Sequence, residues 1–356
     1  MAGGALKVGL VGIGLQGLRR ASALRAVDDS RLVMVADIDK EAVDALAHQM
    51  GCQATTSWEE TVSRPDIGVV IVATPPHLHA AVSIAAMKAG KHVLCEKPLA
   101  RTVAEGEEMV RVAKEQGVVL KCGFNLRHHP GIQQLKRWMT EGRIGEVMFI
   151  RCRYGLGGRP GYDEEWRAKA EVSGGGELMD QGVHVLDLCQ WFLPDVNEGF
   201  AFLSTSFWDI APLEDNAFVL LRSPTGSVAS IHVSWTQWKP LFSFELFGRQ
   251  GYALVEGLGG VYGTMRATLG QRSWSGPFAE EGLEFHGQDL LWQAEWREFV
   301  AAIKESREPV GSGRDGLRAL LLAQRLYEAA HSGGKVTLGD DSGAQRRPGQ
   351  GLQPPR

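Results

Sequence analysis

No stretch of this chain approaches the roughly 18 apolar residues needed to cross a bilayer. Cysteine is scarce. The five present, Cys52, Cys95, Cys122, Cys152 and Cys189, are odd in number, widely spaced and without a CxxC pair. That argues against a disulfide framework or a structural zinc and for a reducing cytoplasm. Residues 1–6 lack a basic region followed by an apolar run, so no signal peptide is expected. An excess of charge of one sign is missing too. Lys and Arg number 38 against 42 Asp and Glu, for a net charge of -4, which gives nucleic acid or an anionic membrane little to bind. No metal is expected: His77-Leu78-His79 has no third ligand nearby in sequence. There is no internal repeat.

At 356 residues the chain suits two domains, and 44% apolar with 22% charged residues is ordinary for a soluble globular protein. Forty-four glycines are an excess. Strand-like apolar runs at 7–11, 31–36, 67–73, 92–95 and 118–122 alternate with helical segments at 15–27, 41–50, 77–89 and 102–116. Such alternation implies a parallel sheet with helices on both faces. After about Gly123 the pattern changes. Helices are expected at 130–141 and 177–192, and a strand at 146–154. Residues 155–173 read as a glycine-rich loop. Strand-like stretches at 216–222, 227–235 and 242–247 suggest a largely antiparallel sheet. Helices at 290–304 and 316–331 close the chain. The expected fold is α/β: a dinucleotide-binding domain, residues 1–123, then an α+β substrate-binding and oligomerisation domain, 124–339. The tail, 340–356, reads as disordered.

Three motifs carry chemistry. Gly12-Ile13-Gly14-Leu15-Gln16-Gly17 follows a strand and opens a helix, the context in which GxGxxG cradles a pyrophosphate. Gly12 permits the turn, Gly14 lets the backbone approach the phosphates, and Gly17 lets helix and strand pack. Asp37 ends the second strand, where a carboxylate accepts hydrogen bonds from ribose hydroxyls and repels a 2′-phosphate. With Ile38 beside it, NAD is favoured, and Lys40 leaves NADP open. Strand ends add Leu15, Gln16, Thr74, Pro75, His79, Glu96 and Lys97 as candidate cofactor contacts.

The second motif, Glu96-Lys97-Pro98, sits at the carboxyl end of a parallel strand, where ligands of open α/β sheets bind. Burial beside a positive nicotinamide would lower the lysine pKa and suit it to proton exchange. Glu96 either pairs with a cation or holds the turn. The third motif, Asp180-Gln181-Gly182-Val183-His184, places Asp180 and His184 four residues apart on one helix face. Asp187 either orients the His184 imidazole or caps the polar edge of that helix. Arg127, at the domain junction, either binds a polar substrate or makes an inter-domain salt bridge. Trp235, Trp238 and Phe242 line a site or a subunit interface, with core packing the simpler reading for Trp235.

With these segments in place the chain resembles the Gfo/Idh/MocA family, named from glucose–fructose oxidoreductase and inositol dehydrogenase. The likeness spans residues 7–338 and rests on GIGLQG, ATPPHLHA at 73–80, CEKPLA at 95–100, GFNLRHHP at 123–130 and GGGELMDQGVHVLDL at 174–188. It implies an N-terminal Rossmann domain and a C-terminal domain built on an open, mostly antiparallel sheet whose face makes homodimers or homotetramers. It implies hydride transfer between NAD(H) or NADP(H) and a secondary hydroxyl or ketone of a sugar, cyclitol or sugar derivative. It also implies a catalytic set of Lys97, Asp180 and His184 and a cis Lys97–Pro98 bond. The loop 155–162 looks somewhat like that of sugar-nucleotide members. Either His184 or Lys97 would take the alcohol proton, and Asp180 would hold substrate hydroxyls. Two other activities occur on such a fold: NAD-dependent redox-assisted glycoside cleavage, and a non-catalytic NAD(P)-binding sensor.

Overall fold

The run Val69–Val72, four apolar residues all buried, shows how the first sheet forms: both faces are covered, so the strand has no polar alternation. The computed structural model describes residues 5–193, 195–276, 279–286 and 290–338; the expectation for the tail at 340–356 lies outside them. Six parallel strands, β1 Leu6–Val11, β2 Ser30–Ala36, β3 Gln53–Thr55, β4 Val69–Val72, β5 His92–Cys95 and β6 Leu120–Cys122, lie in the order β3-β2-β1-β4-β5-β6. Five helices connect them: α1 Leu15–Arg25, α2 Lys40–Met50, α3 Trp58–Ser63, α4 His79–Lys88 and α5 Val103–Gln116. The order reverses between β1 and β4, which opens a crevice at their carboxyl ends. The ends of α5 are written in sequence. Thr102 and Glu105 form a reciprocal capping box, and Gly117 closes the helix at φ +64°. The short β3 and α3 were not expected; at three and six residues they carry no readable period.

The second sheet has nine strands. They are β7 Val147–Gly155, β8 Glu198–Ser204, β9 Asn216–Arg222, β10 Val228–Ser234, β11 Leu241–Gly248, β12 Gly251–Glu256, β13 Met265–Gln271, β14 Glu280–Phe285 and β15 Val336–Thr337. Their order is β14-β13-β12-β11-β7-β10-β9-β8-β15. Every neighbouring pair is antiparallel except β7 and β10, so the open, mostly antiparallel sheet expected here is present. Helices α6 Pro130–Thr140, α7 Ala170–Ser173, α8 Val183–Phe192, α9 Leu290–Lys304 and α10 Gly313–Ser332 complete the chain. One sheet face packs on α6, α8 and α10. The other carries exposed Phe202, Phe218 and Leu220. Strand β9 shows the alternation: Ala217, Val219 and Leu221 point inward, Phe218, Leu220 and Arg222 outward. Phe242 and Trp235 are core residues, buried to 1% and 0% exposure.

Two findings differ from the sequence reading. The helix expected at 177–192 begins as a π-helical turn, Leu178–Gly182, and becomes α-helical only at Val183. Periodicity cannot show a wider turn of this kind, since both forms bury the same residue types. Helix α9, which follows the second sheet in sequence, packs on the first. Its Trp296, Phe299 and Val300 join Val8 and Leu10 of β1 and Val35 of β2 in one buried cluster. The Trp296 indole N–H donates to Ser30 Oγ at 2.9 Å.

Trp296→Ala is expected to cost about 3–5 kcal/mol of stability, because it leaves a cavity and strands a buried hydroxyl. Trp274→Ala, at a site 85% exposed, is expected to stay within about 0.5 kcal/mol. Urea denaturation of the two variants checks the contrast.

Candidate active site

Gly12 sits at φ +89°, and a Cβ there would lie 2.6 Å from the backbone of Ala73 and Thr74, so only glycine fits. A Cβ on Gly17 would lie 2.1 Å from the Gly12 carbonyl oxygen. Gly17 therefore packs α1 onto β1 and does not face the cleft, whereas Gly14 has open space where a side chain would stand. The cleft, about 660 Å³, is lined by Gly12, Gly14, Leu15, Gln16, Asp37, Ile38, Thr74, Pro75, Glu96 and Lys97 among the expected residues. The Asp37 carboxylate is aimed by two backbone donors: Ile13 N–H to Oδ2 at 2.8 Å and Asp39 N–H to Oδ1 at 3.1 Å. Gln16 Oε1 and Thr74 Oγ1 are buried without partners. A cradle of free helix amides, a fixed carboxylate and unpaired polar atoms fits a dinucleotide. Lys40 pairs with Asp44 at 2.6 Å on the exposed surface of α2 and is not among the residues that line the cleft.

His79 does not line the cleft. It is buried, with Nδ1 2.8 Å from the Pro98 carbonyl and Nε2 2.8 Å from the Thr74 carbonyl. It braces the ends of two strands against each other. The Lys97–Pro98 bond is cis. Glu96 pairs with a cation: Arg20 of α1 reaches it at 2.7 Å and also reaches Glu295 of α9. Lys121 lies 3.6 Å from Glu295, wholly buried. This network fixes the turn that presents Lys97.

Lys97 Nζ donates to Asp180 Oδ1 at 2.5 Å and to the Asp180 carbonyl at 2.8 Å. The other carboxylate oxygen accepts from Arg167 Nε at 3.2 Å. Burial alone would raise the Asp180 carboxyl, but the Lys97 charge and then Arg167 hold it well below its ordinary range. His184 is buried, with Nδ1 unpartnered and its ring edge-on to Phe124 at 6.0 Å. Burial first, and the Lys97 charge second, push His184 well below its ordinary value, so the imidazole is neutral at pH 7.

Two expected roles are corrected. Asp187 does not orient His184. It takes a bidentate pair from Arg127, Nε to Oδ2 at 2.8 Å and NH2 to Oδ1 at 2.7 Å. Arg127 also reaches Asp315 of α10 at 3.2 Å and is 4% exposed. Its partners both lie within 124–339, so it makes a salt bridge inside the second unit and not the inter-domain one expected, and it is not among the residues that line the cleft. The reading from sequence also missed residues. Arg159, Glu165, Trp166 and Arg167, in the loop between β7 and α7, line the cleft, and the Arg167 guanidinium stacks 4.3 Å over Trp166. Glu177 is wholly buried one turn before Asp180. Neither of its oxygens makes a well-formed hydrogen bond, the Gln181 amide approaching without good geometry. Burial, then the Asp180 charge, push the Glu177 carboxyl well above its ordinary range. The signal for Glu177 is present in the sequence as an acid amid apolar residues after three glycines. The loop residues leave no such signal. Among the described residues no group of three His, Cys, Asp or Glu side chains is placed to hold a metal.

Comparison with known proteins agrees with this geometry. Residues 6–124 match the oxidoreductase family with an NAD-binding Rossmann fold, GFO/IDH/MocA, and residues 132–254 match the GFO/IDH/MocA C-terminal domain. The chain is 35% identical to a levoglucosan dehydrogenase of Pseudarthrobacter phenanthrenivorans, over 91% of this chain and 96% of that one. It is 30% identical to a 1,5-anhydro-D-fructose reductase of Ensifer adhaerens, over 87% and 92%. The solved structure of a levoglucosan dehydrogenase in complex with NADH superposes with a TM-score of 0.87 at 25% identity, covering 94% of this chain and 100% of that one.

Two outcomes are expected. A lowered His184 pKa keeps this group deprotonated, and able to accept a proton, as pH falls through 6.5. The acid limb of kcat/KM is therefore expected well below 6.5; a limb at or above 6.5 that vanishes in His184→Asn would contradict this. Asp37→Ser is expected to raise NADP use relative to NAD by about tenfold or more, since a buried-edge carboxylate next to a phosphate costs over ~1.4 kcal/mol. Steady-state kinetics with each cofactor reads the ratio.

Proposed function

Because the chain belongs to the Gfo/Idh/MocA family of NAD-binding oxidoreductases, we propose that it moves a hydride between NAD and a secondary hydroxyl or ketone carbon of a sugar, cyclitol or sugar derivative. One observation carries this reading. Lys97 Nζ is held on the Asp180 carboxylate in the wall of the dinucleotide cleft, next to a neutral His184. Gly12, Gly14 and the N-terminus of α1 hold the pyrophosphate, and Asp37 holds the adenosine ribose. Bound NAD supplies the acceptor, or in reverse the donor, of the carbinol hydride.

The chain's own groups handle the proton and the orientation. A secondary alcohol keeps its proton at neutral pH, so a base must take it as the C–H bond breaks. His184 is that base. Its Nδ1 is enclosed, which leaves Nε2 to receive the proton. Lys97 Nζ, a pure donor already oriented by Asp180, hydrogen-bonds the oxygen as negative charge develops there. Asp180 accepts from a neighbouring substrate hydroxyl while staying ionised. In the reducing direction His184 returns the proton.

The uncovered apolar face at Phe202, Phe218 and Leu220 supports assembly of identical copies into a dimer or tetramer. Five unpaired cysteines, four of them buried, support a reducing cytoplasm as the working compartment.

Lys97→Ala is expected to lower kcat/KM by about 10²–10⁴-fold while NAD binding, read by fluorescence titration, persists. Near-wild-type turnover would remove Lys97 from the mechanism. The parent assay follows NADH at 340 nm over a panel of sugars and cyclitols. Bound NAD with no net NADH from any of them would favour transient oxidation during glycoside cleavage.

A further inference from the structure

Five aromatic rings run from the catalytic wall to the surface. Trp235, fully buried, closes a small cavity with Asp180, Arg167 and Trp166. Tyr162 packs on Trp235 at 4.8 Å and on Trp208 at 5.5 Å. Phe207 meets Trp208 at 5.2 Å and Trp238 at 4.8 Å. The first rings are core. The last two are not: Phe207 is 62% and Trp238 64% exposed.

That exposure is enforced by the fold. Asp215 is completely buried, and its carboxylate collects the backbone N–H groups of Ser206 (2.8 Å), Phe207 (2.8 Å) and Trp208 (3.1 Å) together with Asn216 Nδ2 (2.9 Å). Three consecutive amides on one carboxylate fix the turn at whose tip Phe207 stands. From the other side, Leu156 exchanges backbone hydrogen bonds with Ser234 and Gln237, which anchors the start of the cleft loop beside Trp238. A Cβ on Gly157 would lie 3.1 Å from the Trp238 ring, and one on Gly158 would lie 2.5 Å from Trp208. The next residue, Arg159, lines the catalytic cleft. The turn that carries Phe207 is therefore preorganised, and Gly157, against which Trp238 stands, lies two residues before Arg159 at the cleft.

We propose that Phe207 and Trp238 form an outer sugar subsite, so that the substrate is a disaccharide or other glycoside whose second ring rests on this pair. This rests on the sugar-oxidoreductase reading above. The apolar C–H face of a pyranose matches an aromatic face, and its hydroxyls stay in water at the rim. The two rings meet edge to face at 79°, so one exposed ring face stands beside the loop that leads to Arg159 at the cleft, which suits one such ring. A broad apolar face of the kind on the second sheet would suit another copy of the chain.

The test compares wild type with Trp238→Ala and Phe207→Ala on glucose, cellobiose and maltose, with the molecular mass of each variant measured in solution. Wild type is expected to favour at least one disaccharide over glucose in kcat/KM. Each variant is expected to cut that preference by about fivefold to tenfold. No preference in wild type, or an undiminished one in both variants, overturns the proposal. So does a drop in oligomer mass, which assigns the pair to a contact between copies. If no sugar is oxidised, the reading of the catalytic centre fails separately. Tryptophan fluorescence then decides the subsite: saturable quenching by cellobiose or maltose that Trp238→Ala abolishes supports it, and its absence rejects it.

Discussion

The Lys97–Asp180 pair joins the two sheets at the floor of the cleft, and the site's other charges are arranged around keeping it ionised. Lys97 lies two residues beyond β5 of the first sheet, and Asp180 sits in the π-helical turn before α8 of the second unit. Withdrawing such a pair from water costs several kcal/mol per ion, so it persists only with good geometry and further partners. Both Asp180 oxygens have a cation, Lys97 on one and Arg167 on the other. Burial and the Asp180 charge both disfavour ionisation of Glu177, one turn away. The result is a fixed carboxylate beside an imidazole that rests neutral at pH 7 and is free to take a proton.

Support for that pair comes from well outside the cleft. Arg20 lies on the helix after the glycine loop, Glu96 immediately precedes Lys97, and Glu295 belongs to α9; the arginine holds both carboxylates. Arg127, Asp187 and Asp315 tie the start of α6, α8 and α10 in the same way. Each network has cations and anions from elements distant in sequence. Loss of one partner leaves a buried charge uncompensated, which is far more damaging than loss of a surface pair.

All strands of the first sheet but β3 were legible from sequence because they are short apolar runs ended by glycine, proline or acid, and α2 and α5 carry side-chain caps. Most of the cleft-lining residues were legible for a related reason: strand order puts strand ends at the crevice, whatever their side chains. Roles set by tertiary pairing were not. Nothing local in Arg127 or Asp187 says that they meet each other, across 60 positions. His79 looks like a ligand until its two carbonyl partners are seen. The loop with Arg159 and Arg167 has no period, so its approach to Asp180 depends on packing that only the folded chain defines.

Helix α9 lies far along the chain yet completes the core of the sheet with which the chain begins. The polypeptide thus passes from the first sheet unit to the second, returns with α9, and goes back to the second sheet with β15. Interleaving of this kind makes the unfolding of the two units a shared event. It also means that the dinucleotide module is not a modular cassette: cut at Gly123, it would lose the indole and phenyl rings that seal its rear surface. Shuffling such a module between proteins would require α9 to travel with it.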